Sequence, residues 1–336
     1  MTVAALPKQL RNVSDALLLK RLEKGLAQVE AELIKATSHS DEIANATGRH
    51  LVDAGGKRVR PTLVLLTAQL GDADKKDVID AAVVVELTHL ATLYHDDVMD
   101  EAPTRRGVPT AQKIWGNSVA ILTGDLLFAR ASQIGLGLGT ETLRLQAETF
   151  ERLCLGQLHE TVGPKEGEDA VAHYIQVLAD KTGSLIAASA VMGVTASGAS
   201  ADFIEPLRLY GERIGVAFQL IDDVIDISEA GPSGKTPGTD LRAGVPTLPT
   251  LLLARDAAAG DVEAASLLEL ISGGLESDTD LQTALERLRK HSVAAEALAA
   301  AKQWAQDAVD ALAPLPNSSV KSALEKFAEA VVDRQN

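Results

Sequence analysis

Val83-Val84-Val85-Glu86-Leu87-Thr88-His89-Leu90-Ala91-Thr92-Leu93-Tyr94-His95-Asp96-Asp97-Val98-Met99-Asp100 is apolar for most of its length and ends in three aspartates. A second run, Ile214 to Ile221, is also apolar and leads into Asp222-Asp223-Val224-Ile225-Asp226. In each motif the outer aspartates are four residues apart, so on a helix their carboxylates share one face with the third beside them. Unpaired, three carboxylates on one turn repel each other, a cost tolerated at a solvated face or next to a cation. The apolar approach to each motif points the carboxylates into an interior or a cavity, where they need partners. Hard oxygen ligands suit Mg²⁺, which binds through one or two carboxylates per ion and completes its shell with water and phosphate oxygens.

Outward from these motifs, apolar residues recur at helical spacing almost everywhere, as in Leu17, Leu18, Leu22, Leu26, Val29 and Leu33. Breaks fall at Asp53 to Gly56, Pro103 to Pro109, Gly135 to Gly139, Gly163 to Gly167 and Glu229 to Pro249. No Pro/Ser-rich linker and no fixed repeat divides the chain, which predicts one all-α domain over residues 1–336. The expected architecture is a single large helical bundle with a central cavity between two facing Asp-rich helices. Gly234-Lys235-Thr236 is no phosphate-binding P-loop, because the glycine needed five residues earlier is Glu229 and no strand precedes it.

With 46% hydrophobic residues in 336, the chain can bury a large core. A formal net charge of −15 excludes a nucleic-acid partner, which needs a basic surface, so any phosphate site must be a local basic patch. The single cysteine, Cys154, excludes an internal disulfide framework and is expected as a small buried residue. No export signal pattern is present, and a cytoplasmic location is expected. Thr182 to Ala201 is the one membrane-like run, but its Gly, Ser, Thr and Ala content reads as a buried core helix, so no transmembrane segment is expected.

Basic residues stand where a phosphate cargo needs them: Lys57, Arg58 and Arg60 after Gly55-Gly56, Arg105-Arg106 past the first motif, Lys181, and Lys235. Arg matches phosphate oxygens with a bidentate fork, and Lys acts as a compact point charge. His89 lies two turns before Asp96 and on nearly the same face, placed for a second anionic substrate. Gln219, three residues before Asp222, is placed to touch whatever the second motif binds.

These residues resemble the trans-isoprenyl diphosphate synthases, or polyprenyl synthetases, over nearly the whole chain. The matching blocks are Gly55-Gly56-Lys57-Arg58-Val59-Arg60-Pro61, Glu86 through Gly107, Gly124-Asp125, Gly156-Gln157, Lys181-Thr182-Gly183, Phe218 through Asp223, and Gly234 through Leu241. The resemblance implies an isoprenoid-synthase bundle, a homodimer, and three Mg²⁺ ions per active site. It implies that Asp96 and Asp100 bind Mg²⁺ beside an allylic diphosphate with Asp97 in support, and that Asp222 binds a third ion, with Asp223 and Asp226 completing that motif. Asp96, Asp97, Asp100, Lys181, Asp222 and Asp223 form the implied catalytic set. Arg105, Lys181, Thr182, Gln219 and Lys235 match contacts to the allylic diphosphate, farnesyl or geranylgeranyl. Lys57, Arg60, His89 and Arg106 match the isopentenyl diphosphate site. One departure is that Gly244-Val245-Pro246-Thr247-Leu248-Pro249 carries Val245 where many members have a lysine.

The implied reaction ionises the allylic carbon–oxygen bond, after which the alkene of isopentenyl diphosphate attacks and proton loss regenerates an allylic product. A terpene cyclase shares the ionisation but needs no second diphosphate site, and a non-catalytic chain-length-regulating subunit should have lost its metal motifs. In this family, bulky residues four or five positions before the first aspartate block the growing tail. Ala91 and Thr92 stand there, with Thr92 about 6 Å deeper than Asp96 and nearly in line with it. Tyr94 is the nearby aromatic able to trim the channel wall. The expected product has about six to ten isoprene units and fits a quinone side chain, with geranylgeranyl diphosphate as the alternative. Replacing Ala91 with Phe should shorten the product, read by chromatography of the dephosphorylated chains; an unchanged length would remove the tunnel from the picture.

Overall fold

The computed structural model describes residues 6–7, 10, 13–228 and 237–333. In chain order the helices are α1 (Ala16–Thr37), α2 (Glu42–Asp53), α3 (Val59–Thr67), α4 (Lys76–Met99), α5 (Ala111–Trp115), α6 (Asn117–Gly137), α7 (Thr140–Val162) and α8 (Ala170–Leu178). They continue as α9 (Ser184–Ser197), α10 (Ile204–Ile227), α11 (Thr239–Arg242), α12 (Leu248–Ala258), α13 (Val262–Ser272), α14 (Asp278–Lys290), α15 (Ser292–Ala311) and α16 (Ser319–Val332). Among the described residues the only sheet is a hairpin, β1 (Thr104–Arg105) paired antiparallel with β2 (Val108–Pro109). The fold is all-α, as expected.

Contacts group the chain into two compact units, one of residues 1–151, 185–211 and 312–326, the other of 152–184, 212–311 and 327–336. In the first unit α4 is the central element. Its first turn carries the exposed Lys76 and Asp77, but residues 81–88 are buried on every side, and Val78, Ala81, Val84, Leu87 and Leu90 are fully buried. Such a helix belongs inside a core. α4 packs along α6 through small residues, Ala120, Gly124 and Ala131, which let the helix axes approach. α3 meets α9 as closely. Thr67 Oγ1 donates to Ala190 O at 2.9 Å, and a Cβ on Gly193 would stand 2.1 Å from that hydroxyl and 2.3 Å from Val64 O.

In the second unit the core gathers Val216, Leu220 and Val224 of α10 with Leu252 and Leu253 of α12, Leu285 and Leu288 of α14, and Ala297 and Ala301 of α15. Helix starts follow the sequence. Asp169 Oδ1 accepts from Val171 N and Ala172 N, Asp261 Oδ1 from Ala264 N, and Thr247 N donates to Thr250 Oγ1, each satisfying donors the first turn leaves open.

Two expectations need correction. Cys154 is exposed, not buried, because it falls on the outward side of α7. Thr182 to Ala201 is not the sole membrane-like run: Lys76–Met99, Asn117–Gly137 and Ala170–Ser197 are each long and apolar enough to cross a bilayer. The core reading holds through Val194, with 89% of the most apolar window in Ala170–Ser197 buried, but the helix ends at Ser197 and Gly198, Ser200 and Ala201 are exposed. Gly193→Ala should destabilise the protein by about 1–3 kcal/mol, since a backbone oxygen cannot yield to the new methyl. Thermal unfolding followed by circular dichroism would measure it.

Candidate active site

α4 ends at Met99, with Asp100 as its exposed C-cap, Asp96 half-buried and Asp97 1% exposed. Arg105 Nε and Nη2 donate to Asp97 Oδ1 at 2.7 and 2.6 Å, while Asp97 Oδ2 is buried with no hydrogen-bond donor. Burial raises the Asp97 pKa against the lowering effect of Arg105. Gln112 Nε2 fastens the end of the helix by donating to Asp97 O at 2.7 Å and Ala102 O at 3.0 Å. Beyond it, Arg106 and Gly107 form the hairpin loop with φ of 54° and 80°, the paired positive angles of a two-residue turn that fits the strand twist. That turn sends Arg105 to Asp97 and Arg106 to the α2–α3 loop.

There Arg106 Nη1 donates to Leu51 O at 2.9 Å and to Gly55 O. A Cβ on Gly56 would lie 3.0 Å from the Arg106 guanidinium, so glycine leaves that group its room. Arg60 is half-buried with its Nε enclosed and without a partner, and burial followed by repulsion from Arg106 brings its pKa down to about 10 despite the pull of Glu86. His89 is held well below the usual histidine range by burial and by Arg60, Arg106, Arg105 and Arg58. It is therefore neutral near pH 7, a hydrogen-bonding group inside a positive field. Lys57 is exposed at the rim. Four residues expected to share an anion site thus come from one unit, three of them electrostatically coupled. Arg58 is different: it is buried and bound to Glu30 and Glu86.

Ala91 is fully buried, and Thr92 is half-buried with its hydroxyl donating to His89 O at 2.8 Å. Tyr94 turns to α2, where its hydroxyl donates to Thr47 O at 2.5 Å.

In the second unit, Asp222 is half-buried on α10 and Gln219 likewise. Asp223 Oδ2 accepts from the Tyr174 hydroxyl at 2.8 Å and from Leu248 N at 3.0 Å, and burial pushes its carboxyl up to about 7. Asp226 accepts from Thr239 N at 3.1 Å and Asp240 N at 3.2 Å, and its backbone oxygen accepts from Gly238 N at 2.6 Å. Asp226 therefore anchors the segment entering α11. Lys181 and Thr182 lie in a π-helical turn, Ala179–Gly183, that joins α8 to α9. Such turns turn side chains out of the α register. Arg152 braces this one, donating to Asp180 Oδ1 and Glu212 Oε2 at 2.6 Å each, and Lys181 pairs with Glu160. A Cβ on Gly156 would stand 2.7 Å from Lys181 N, the close approach that the Gly156-Gln157 block serves. Val245 is exposed. Lys235 lies outside the described residues.

The donors fit a hard cation. Both motifs offer only oxygen, and Asp97 keeps a buried acceptor without a proton donor. Among the described residues no three His, Cys, Asp or Glu side chains gather into one cluster. Charge spacing and helix periodicity found the acidic residues. The bracing groups Glu30, Glu86, Arg152 and Tyr174 were missed, because each acts through a partner distant in sequence.

The chain matches the polyprenyl synthetase family model over residues 41–288. It is 42% identical, over 96% of both chains, to nonaprenyl diphosphate synthase of Mycobacterium tuberculosis. A geranylgeranyl pyrophosphate synthase from Corynebacterium glutamicum, solved with calcium and isoprenyl diphosphate, superposes with a TM-score of 0.86 at 42% identity, covering 96% of this chain and 98% of that one. A decaprenyl diphosphate synthase from Rhodobacter capsulatus superposes at 0.85 with 31% identity, over 95% and 99%. With its oxygen-donor motifs, its clustered arginines and matches of this extent, the chain belongs to the polyprenyl synthetase family.

Proposed function

We propose that this member is an all-trans polyprenyl diphosphate synthase, a prenyltransferase that repeatedly condenses isopentenyl diphosphate head to tail, 1'-4, with an allylic diphosphate primer. The observation that carries this reading is the half-buried Arg60, Arg106 and His89 group, with the Arg60 Nε enclosed and without a partner, set apart from the aspartates of the same unit. Two anion-binding features suit two diphosphates, hence condensation in preference to cyclisation. All 336 residues serve this reaction as one functional domain. Farnesyl or geranylgeranyl diphosphate is the proposed primer, and about six to ten isoprene units the proposed length, supported by the nonaprenyl and decaprenyl relatives. A geranylgeranyl product is the second reading, favoured by the Corynebacterium enzyme. A quinone side chain is the proposed use and the cytoplasm the proposed setting.

Asp96, Asp100 and Asp222 are the proposed Mg²⁺ ligands, for three ions, with Asp97 and Asp223 holding the motifs in shape. Bound Mg²⁺ would place positive charge against the oxygens of the departing diphosphate. Arg105 and, in the second unit, Lys181, Thr182 and Gln219 are the proposed contacts to those oxygens, together with Lys235 of the Gly234–Leu241 block. Arg105 commits its Nε–H and one Nη2–H to Asp97, which leaves the two Nη1–H groups and the second Nη2–H to offer. Lys57, Arg60 and Arg106 hold isopentenyl diphosphate by charge, and neutral His89 by a ring N–H. The apolar walls of α4 exclude water, which would trap the allylic cation.

With Mg²⁺, labelled isopentenyl diphosphate and a panel of primers, the purified protein should elongate at least one primer. Asp96→Asn combined with Asp222→Asn should lower turnover by about a thousandfold. Absence of elongation with every primer would refute the reading. A homodimer is proposed from the outward face of α6, where Ile121, Leu122, Leu126 and Leu136 are 42%, 66%, 37% and 68% exposed at helical spacing. Leu122→Glu should convert a dimer to monomer in light scattering; an unchanged mass would place any interface elsewhere.

A further inference from the structure

Arg58 starts α3 with φ of 47°, a left-handed backbone that a residue other than glycine keeps only when its surroundings hold it there. Two carboxylates do so. Arg58 Nε and Nη2 donate to Glu30 at 2.5 and 3.2 Å, Nη1 donates to Glu86 Oε1 at 2.8 Å, and Nη2 also reaches Val52 O at 3.3 Å. With four of its five N–H groups on these partners and its side chain 1% exposed, Arg58 is closed to a substrate. Glu86, 2% exposed, also stands 4.0 Å from Arg106 Nη2 and attracts Arg60. One buried carboxylate thus binds Arg58, stands within ion-pair reach of Arg106 and acts on Arg60 through its field, the last two being assigned above to isopentenyl diphosphate.

We propose that Glu86 is a positioning residue for the isopentenyl diphosphate subsite: it helps set where Arg106 stands and touches no substrate atom itself. This rests on the condensation reading given above. Three guanidiniums set against Glu86 and Glu30 keep a positive excess, so the carboxylate lets like charges gather without cancelling the field an anion needs. Glu86 lies three residues before His89 on α4, so one helix turn carries both the anchor and a proposed contact. Arg106 is fixed from its other side by Leu51 O and Gly55 O, and Gly56 leaves it space. Glu86 supplies the remaining restraint.

Charge and position give opposite signs for the same substitution. Removing a negative charge should tighten anion binding if the field alone matters; losing the restraint should weaken it. Glu86→Gln is expected to raise KM for isopentenyl diphosphate about tenfold, with KM for the allylic primer changed less than about twofold. Glu86→Asp, which keeps the charge but withdraws it by one methylene, should move the same KM in the same direction. Calorimetric titration of isopentenyl diphosphate without primer should show the same weakening in both variants. An unchanged or lowered isopentenyl KM in Glu86→Gln overturns the proposal. So does an equal rise in both KM values, a loss confined to kcat, or unfolding of both variants, each of which marks a general structural role. If the native chain binds isopentenyl diphosphate in the titration but elongates nothing, the condensation reading fails while the titration still decides the part of Glu86.

Discussion

Charge removed from water must be met by opposite charge or by hydrogen bonds, and α4 is where this constraint bears hardest. The helix is walled by apolar residues, yet it carries Glu86, His89, Asp96 and Asp97. Glu86 meets Arg58, Asp97 meets Arg105, and His89 stays neutral because burial, and then the surrounding arginines, disfavour its charged form. What remains after this pairing is informative. Arg60 keeps a buried Nε without an acceptor, and Asp97 keeps a buried oxygen without a donor. An anion suits the first and a cation the second, within a single helical unit.

The two aspartate motifs look alike in sequence but divide their labour differently. In the first, the middle residue is the one locked in place, by Arg105 and by the Gln112 bond to its backbone. In the second, Asp223 and Asp226 are both committed, the former to Tyr174 and the Leu248 amide, the latter to the amides that begin α11. The Thr247-Leu248-Pro249 sequence therefore still has a task despite the Val245 departure: it caps α12 and supplies the amide that steadies Asp223.

Backbone geometry supplies the remaining precision. A π turn re-aims Lys181 and Thr182 between two otherwise regular helices, and Gly156 allows α7 to come against it. Left-handed φ angles at Arg58 and Arg106 place guanidiniums where extended backbone would not. Each is a local departure from regular structure, sustained by ion pairs or hydrogen bonds from distant segments.

Much was legible from order and spacing alone. Periodicity identified the all-α class, turn residues marked the breaks, and the i, i+4 aspartates with their apolar approach identified an oxygen-donor site. The motif blocks identified the family, because many ordered coincidences are improbable. Cys154 was misplaced because a single residue type says little about which helix face turns outward. Tertiary structure alone decided which charges are spent: Arg58 looked like a phosphate contact and is a brace, Asp226 completed a motif and is an anchor for the segment entering α11, and Glu86 looked like one polar residue in an apolar run and is the partner of Arg58 with Arg106 nearby. The reason is physical. Helical spacing fixes which residues share a face, whereas pairing energies and desolvation depend on what packs against that face from elsewhere in the chain.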